Sequence, residues 1–380
     1  MSDKIRILYL IDHLEELGGT ERHLVYLATM LDRARFDVTV VAFHMVENEL
    51  AADLRAGGVE VLHIPVGRQY TPHAFVQALA IFRLIKRKRI NLVQTYHYKA
   101  DTYGTLIARL AGVRTVIASK RDAGQLKSGF NFFLNRCAQP FIRRYISVSD
   151  EITNVIVQRE GAAARKVIKI HNGVDLRRFH VTGPDERTRA RVLLGIPADA
   201  QVIGQAAWFR EEKDHESLFK AFAQVRDRRP RAHLLLLGGG PLLEHCKQRA
   251  QQLAIGGSVT FAGVVSDVVP YLQAMDIGCL TPKGNEGFSN AIVEKMATGL
   301  PMVVTDVGGN KEAVTDAYNG FVVAPTDVSA IATRFAQLID DESLRLAMGE
   351  ASRRRVLEEF ELGVMVRRHA ELYESSISGN

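Results

Sequence analysis

Twice along this chain, short apolar runs rich in β-formers alternate with amphipathic stretches of helical period, and this alternation most limits the folds open to it. A strand, a helix and a further strand in that order build a parallel sheet, because only a long crossover returns the chain to the same end of the sheet. In the first array the apolar runs lie near 4–11, 37–43, 59–64, 91–96, 114–118, 143–148 and 167–170, with helical periods including 20–32, 74–88 and 101–111. In the second they lie near 201–207, 232–237, 258–261, 276–280, 301–305 and 321–323, with helices near 214–226, 241–253, 289–298 and 310–316. Between the arrays, Thr182-Gly183-Pro184-Asp185-Glu186 reads as a turn-rich break. The expected fold class is α/β, with two doubly wound domains facing each other across a cleft. The expected domains are 1–178 and 179–363, with a last helix at about 364–380, set off by Gly363, packing back on the first. Ligands of such sheets bind outside the carboxyl ends of the strands.

A length of 380 residues with 47% hydrophobic and 24% charged side chains supports two ordinary cores. Cys137, Cys246 and Cys279 are odd in number and widely spread, which fits neither a disulfide framework nor a metal cage. The first apolar run stops at Asp12-His13, too early for a signal segment, and no run reaches the roughly 18 residues that a membrane span needs. The expected location is the cytoplasm.

Charge divides unevenly. Residues 1–180 carry 27 Lys and Arg against 17 Asp and Glu, while the remainder carries 22 against 26. A basic first half steers anionic partners, and no nucleic-acid-binding signature accompanies it, so nucleic acid is not an expected partner. Two segments, 129–136 (GFNFFLNR) and 141–145 (FIRRY), mix aromatics with cations, and 82–89 (FRLIKRKR) adds more positive charge. Such surfaces suit peripheral attachment to an anionic membrane face, here the inner face of the plasma membrane. The alternative is a core helix with a solvated basic face.

The most informative string is Glu286-Gly287-Phe288-Ser289-Asn290-Ala291-Ile292-Val293-Glu294, running on to Gly299-Leu300-Pro301. It places Glu286 in a loop after a strand, Ser289 as the cap of the next helix, and Glu294 on the face of Asn290. Amides at a helix start suit a phosphate or a sugar hydroxyl, and a carboxylate on that face suits a vicinal diol. After the next strand comes Thr305-Asp306-Val307-Gly308-Gly309-Asn310-Lys311-Glu312. The combined stretch resembles the donor-binding region of retaining GT-B glycosyltransferases, the group that includes bacterial mannosyl-, glucosyl- and N-acetylglucosaminyltransferases. The resemblance is dense over 281–316 and loose over the whole chain. It implies the GT-B fold, with two Rossmann-like domains, an acceptor-binding first domain and a nucleotide-sugar donor-binding second domain.

The resemblance also implies roles. Glu286 would contact donor-sugar hydroxyls, Glu294 the nucleotide ribose, and the backbone of Gly287, Phe288, Ser289, Asn290 and Ala291 the sugar and phosphate. In Trp208-Phe209-Arg210-Glu211-Glu212-Lys213 the family carries an Arg five residues before a Lys, and both neutralise the donor diphosphate. Lys213 matches, whereas Trp208 stands at the Arg position and Arg210 lies in another register. Gly238, in the glycine turn after 234–237, would approach the nucleotide, and Val264 would read the base edge through its backbone. In the first half, Gly18-Gly19-Thr20-Glu21 resembles the family's glycine loop, so Gly19 would face the donor phosphate. His97 matches a histidine near the donor sugar, making His97, Glu286 and Lys213 the expected catalytic set. Arg121 with Asp122, and Asn172 in His171-Asn172-Gly173-Val174-Asp175, are expected on the acceptor side.

The implied activity is transfer of a sugar from a nucleoside-diphosphate donor to a glycan or lipid-linked acceptor, with retention, in cell-surface polysaccharide or glycolipid synthesis. No cofactor is expected, since the nucleotide sugar is a substrate, and no metal. A nucleotide-sugar 2-epimerase or a non-catalytic nucleotide-sugar-binding protein shares the same architecture.

Overall fold

A computed structural model describes residues 4–15, 18–67, 71–121 and 129–378, without the side chains of 129–132. Asp122 therefore lies outside the described residues, as do the side chains of Phe130, Asn131 and Phe132. The chain divides into two compact units, one spanning Met1–Asn172 and Leu362–Asn380, the other Gly173–Glu361.

Among the described residues of the first unit, β1 (Ile5–Leu14), β2 (Phe36–Met45), β3 (Glu60–His63), β4 (Leu92–Tyr96), β5 (Thr115–Lys120), β6 (Arg144–Ser147) and β7 (Val167–Lys169) form one sheet. Its order is β3-β2-β1-β4-β5-β6-β7, and every pairing is parallel. Parallel strands with helices on both faces read as continuous apolar runs. Accordingly Ile7, Leu8, Tyr9, Leu10 and Ile11 of β1 are all inaccessible to solvent. The C-terminal helix Leu362–Ser378 belongs to this unit. Its Tyr373 donates to Gln94 Oε1 at 2.7 Å and meets the Tyr9 hydroxyl at 3.0 Å. Gly363 does not break the chain there. The break falls at Glu361, between a turn of π-helix (Val356–Phe360) and this helix.

The second unit holds β8 (Gln201–Ala206), β9 (Ala232–Leu237), β10 (Val259–Gly263), β11 (Ile277–Leu280), β12 (Met302–Thr305) and β13 (Gly320–Val323), ordered β10-β9-β8-β11-β12-β13 and again parallel. Pro184, read above as part of a break, instead opens the helix Pro184–Leu193. Glu186 accepts from the Gly183 backbone N–H at 2.9 Å, which satisfies a donor that the helix start leaves open. The expected helix at 310–316 is only Asn310–Ala313, and the one at 101–111 begins as a π-turn, Ala100–Gly104.

In each sheet the strand order reverses once, between β1 and β4 and between β8 and β11. Loops leaving the two strands at such a point diverge, which opens a crevice at their carboxyl ends.

Candidate functional site

At the switch point of the second unit, the loop after β8 carries Lys213 and the loop after β11 carries Glu286. Lys213 Nζ lies 2.5 Å from Glu286 Oε2, with both side chains mostly shielded. Asn285, just before Glu286, has φ +55, a left-handed conformation that costs an ordinary residue energy and aims the next side chain. Gly308, after β12, supports the same loop. Its φ is +58, and a Cβ there would stand 1.9 Å from the Glu286 carbonyl oxygen. Next to it the Gly309 N–H donates to Gly287 O at 2.7 Å. The glycine pair thus seats the Glu286 loop, which explains why the two strings follow one another in sequence.

Phe288 is buried against Phe360, ring centroids 5.6 Å apart, and anchors the loop from below. Ser289 sits at the cap position of the helix Asn290–Ala297 but makes no side-chain capping bond, contrary to expectation. Its backbone is extended, with ψ 112°, as expected of a residue at a cap position. Asn290, Ala291 and Glu294 remain part-exposed on one face of that helix, whereas the neighbouring Lys295 is fully buried. Lys295 Nζ donates to Cys279 O at 3.2 Å, and burial draws its pKa down to about 8 against the pull of Cys279, Glu294 and Glu286. A lysine on an amphipathic helix normally reads as surface, so this inward turn is not legible from the residue pattern.

Beyond β8 towards the sheet edge, Trp208 is exposed and the Arg210 guanidinium carbon lies 5.6 Å from the centre of its ring. Gly238 has φ +132, and a Cβ there would meet Ala207 O at 2.2 Å. Val264 is exposed just after β10.

The first unit assembles a second group at its own switch point. Gly18 precedes the helix Gly19–Met30, whose first residue is Gly19. A Cβ on Gly18 would fall 2.2 Å from Glu21 Oε2, so this glycine leaves room for the Glu21 carboxylate. The other oxygen, Oε1, faces His13 Nε2 at 3.5 Å and His97 Nε2 at 3.7 Å. His97 directly follows β4 with φ +70 and stacks on His13, centroids 4.3 Å apart and planes within 3°. Behind it, Asp12 accepts the Lys99 and Ala100 amides at 2.8 and 2.7 Å, which fixes the turn carrying His97. His13 and Glu21 were not singled out from the sequence because their association with His97 joins a strand, a helix and a loop that lie far apart in the chain.

The nitrogens and carboxylate oxygen of His13, Glu21 and His97 lie within 4.8 Å of one another, close enough for a metal ion. The ring planes argue against it as they stand. An imidazole lone pair lies in its ring plane, so an ion in the plane of one parallel ring is out of plane for the other.

Arg121 and Asn172 lie together in this unit and hydrogen-bond each other. Arg121 also donates to Ser119 Oγ at 3.0 Å and approaches His23 Nδ1 at 2.9 Å, and burial lowers its pKa to about 10.

Comparison with known proteins agrees with this layout. The family described as glycosyl transferases group 1 matches residues 186–355, and glycosyltransferase family 4 matches residues 17–178. A GDP-mannose-dependent α-(1-6)-phosphatidylinositol monomannoside mannosyltransferase of Mycolicibacterium smegmatis is 30% identical over 281 residues, 70% of this chain and 72% of that protein. A UDP-Gal:α-D-GlcNAc-diphosphoundecaprenol α-1,3-galactosyltransferase of Escherichia coli is 23% identical over 97% of each chain. Among solved structures, Anabaena HepE in complex with UDP superposes with TM-score 0.86 at 21% identity, covering 97% of this chain and 100% of its own. With two parallel-sheet units in the GT-B arrangement of strands, the chain belongs to the group 1 glycosyltransferases.

Proposed function

We propose that this glycosyltransferase moves a hexosyl group from a nucleoside-diphosphate sugar to a lipid-linked or polysaccharide acceptor, with retention of configuration and without a metal ion. The observation that carries the reading is the Lys213–Glu286 pair at the switch point, beside the helix that bears Glu294. The cation and carboxylate neutralise each other in the unliganded protein. A donor whose diphosphate takes Lys213 and whose sugar hydroxyls take Glu286 replaces that pair with two separate charge-assisted contacts. Two relatives named for diphosphoundecaprenol and phosphatidylinositol substrates support a lipid-linked acceptor.

In the proposed step the bond from the anomeric carbon to the diphosphate oxygen breaks, and a bond to the acceptor oxygen forms on the same face. The acceptor proton passes to the leaving diphosphate. Lys213, Arg210 and the first amides of the helix Asn290–Ala297 supply the positive charge, so no metal is required. The recognised glutamates are engaged on hydroxyls, which makes them poor nucleophiles for a covalent route of the glycosidase kind.

Membrane attachment through the first unit completes the reading. On the helix Pro72–Lys88, Phe75, Val76 and Leu79 are exposed apolar residues beside exposed Arg83, Lys86 and Arg87. Among the described residues no helix is long and apolar enough to cross a membrane. Co-sedimentation with anionic liposomes should occur and weaken with salt; salt-insensitive or absent binding removes the membrane element.

The test begins with thermal stability against UDP-, GDP- and ADP-sugars in the presence of EDTA. One nucleotide class should raise the midpoint. Adding an acceptor extract should then release free nucleotide, and the product linkage should match the donor's anomeric configuration. Glu286→Ala should abolish that release while largely sparing nucleotide binding. Equal loss of nucleotide affinity would contradict the role of Glu286. Nucleotide binding without release marks a binding protein, and epimer formation without release marks an epimerase.

A further inference from the structure

The chain contains one tryptophan, and it stands where the resemblance expects an arginine. Trp208 leaves the end of β8 and is 53% exposed, while the next residue, Phe209, is wholly buried and stacks on His215 with centroids 4.2 Å apart. The backbone therefore sends one aromatic inward and the other out, and the core does not lack a ring. A single exposed apolar side chain needs no explanation by itself. The surroundings of this one are specific.

Three loops, from the ends of β8, β9 and β10, are stitched together beneath it. The Ala207 N–H donates to Leu237 O at 2.9 Å, Phe209 N–H to Gly239 O at 2.8 Å, and Gly238 N–H to Gly263 O at 2.8 Å. Gly239 forms an open floor between two side chains: a Cβ there would lie 2.7 Å from Val264 Cγ2 and 3.5 Å from Trp208 Cζ3. The Arg210 guanidinium lies 5.6 Å from the ring centre, and among the described residues it has no acidic ion-pair partner. Across the sheet the order is Val264 after β10, Gly239 after β9, Trp208 and Lys213 after β8, and Glu286 after β11. A nucleoside diphosphate lying along this edge, with its sugar at Glu286 and its phosphates at Lys213, brings its planar base to the β9–β10 side.

We propose that the indole of Trp208 is the stacking platform for the donor's nucleobase, bordered by Gly239 and Val264, with Arg210 reaching the diphosphate from the same loop. The site rests on the reading of the second unit as the donor site. An indole offers the largest π face of any side chain, and base–aromatic stacking tolerates every base. Affinity that an arginine would draw from the phosphates is drawn here from the base.

Because Trp208 is the sole tryptophan, its fluorescence reports on this position alone. The full-length protein is titrated with UDP, with GDP and with inorganic pyrophosphate, and binding is followed in parallel by thermal shift. Saturable fluorescence quenching by a nucleoside diphosphate, absent with pyrophosphate, is the expected result. Trp208→Ala should weaken that nucleotide about ten- to one-hundredfold, and Trp208→Phe should retain most of the affinity. A thermal shift with UDP or GDP but no fluorescence change, and unaltered affinity in Trp208→Ala, overturns the stacking role while leaving the donor site standing. Equal quenching by pyrophosphate also overturns it, since the indole would then sense phosphate. No binding of any nucleotide by either method overturns the donor site and the platform together.

Discussion

Gly308 shows how one missing side chain can hold the Glu286 loop. A methyl group there meets the Glu286 carbonyl at 1.9 Å, and the backbone sits at φ +58, so alanine is strained twice. Gly308→Ala should lower stability by roughly 1–3 kcal/mol and reduce turnover more than nucleotide affinity, read from melting curves and steady-state kinetics. Gly284 is the control: nothing lies within 4 Å of its added Cβ, so Gly284→Ala should leave the melting temperature almost unchanged. The same residue-scale view separates what the motif strings revealed from what they hid. Lys213, Glu286 and Glu294 were legible because each belongs to a local strand–loop–helix string. Lys295 was not, because the choice between solvent and core for a lysine is made by the packing above β11 rather than by its neighbours in sequence.

At the scale of elements, the first sheet contains a buried ionic cluster that the sequence concealed. Lys120 ends β5 and reaches Asp101 Oδ2 at 2.8 Å and Glu160 Oε1 at 3.2 Å. Asp101 also accepts from Thr95 at 2.6 Å, and Glu160 from Asn135 at 3.0 Å. Burial opposes the Lys120 charge, and the two carboxylates outweigh it, so its pKa is held above the usual lysine range. This cluster ties β5 to the π-turn after β4 and to the segment before β7. Lys120→Met leaves two carboxylates buried without their cation, and the expected loss is about 3–5 kcal/mol. Chemical denaturation at neutral pH measures it. A loss within that of an ordinary surface substitution would show that water or rearrangement satisfies the pair. Charged residues at 101, 120 and 160 are far apart in the chain, and no periodicity connects them.

For the whole molecule, acid should weaken folding through its buried histidines, His23 and His369 in the first unit and His215 and His233 in the second. His215, stacked on Phe209, is kept neutral by burial and then by the Lys213 charge, with its pKa lowered from 6.5 to about 4. His233 is lowered to about 4 by burial, then by Arg226 and Arg191. The unfolded chain binds these protons near pH 6.5 and the folded chain resists them, so stability is full above pH 6.5 and declines as pH falls towards 4. For His215 the difference is on the order of 3 kcal/mol. Urea midpoints measured at pH 7 and pH 5 should fall less in His215→Gln than in the wild type, and an identical fall would remove His215 as a cause. The sequence by itself determined the βα order of both sheets, because apolar runs and helical periods are local and parallel strands buried on both faces leave no other pattern. It also determined the loop strings that carry Lys213, Glu286 and Glu294. Only the tertiary structure decided which loops share a switch point, and with them the Lys213–Glu286 pair, the stacked His13 and His97 over Glu21, and the outward turn of Trp208 beside Gly239. Those associations join residues carried by different strands or by the loops and helices that follow them, and strand order in a parallel sheet is set by how the crossovers pack rather than by any sequence neighbour.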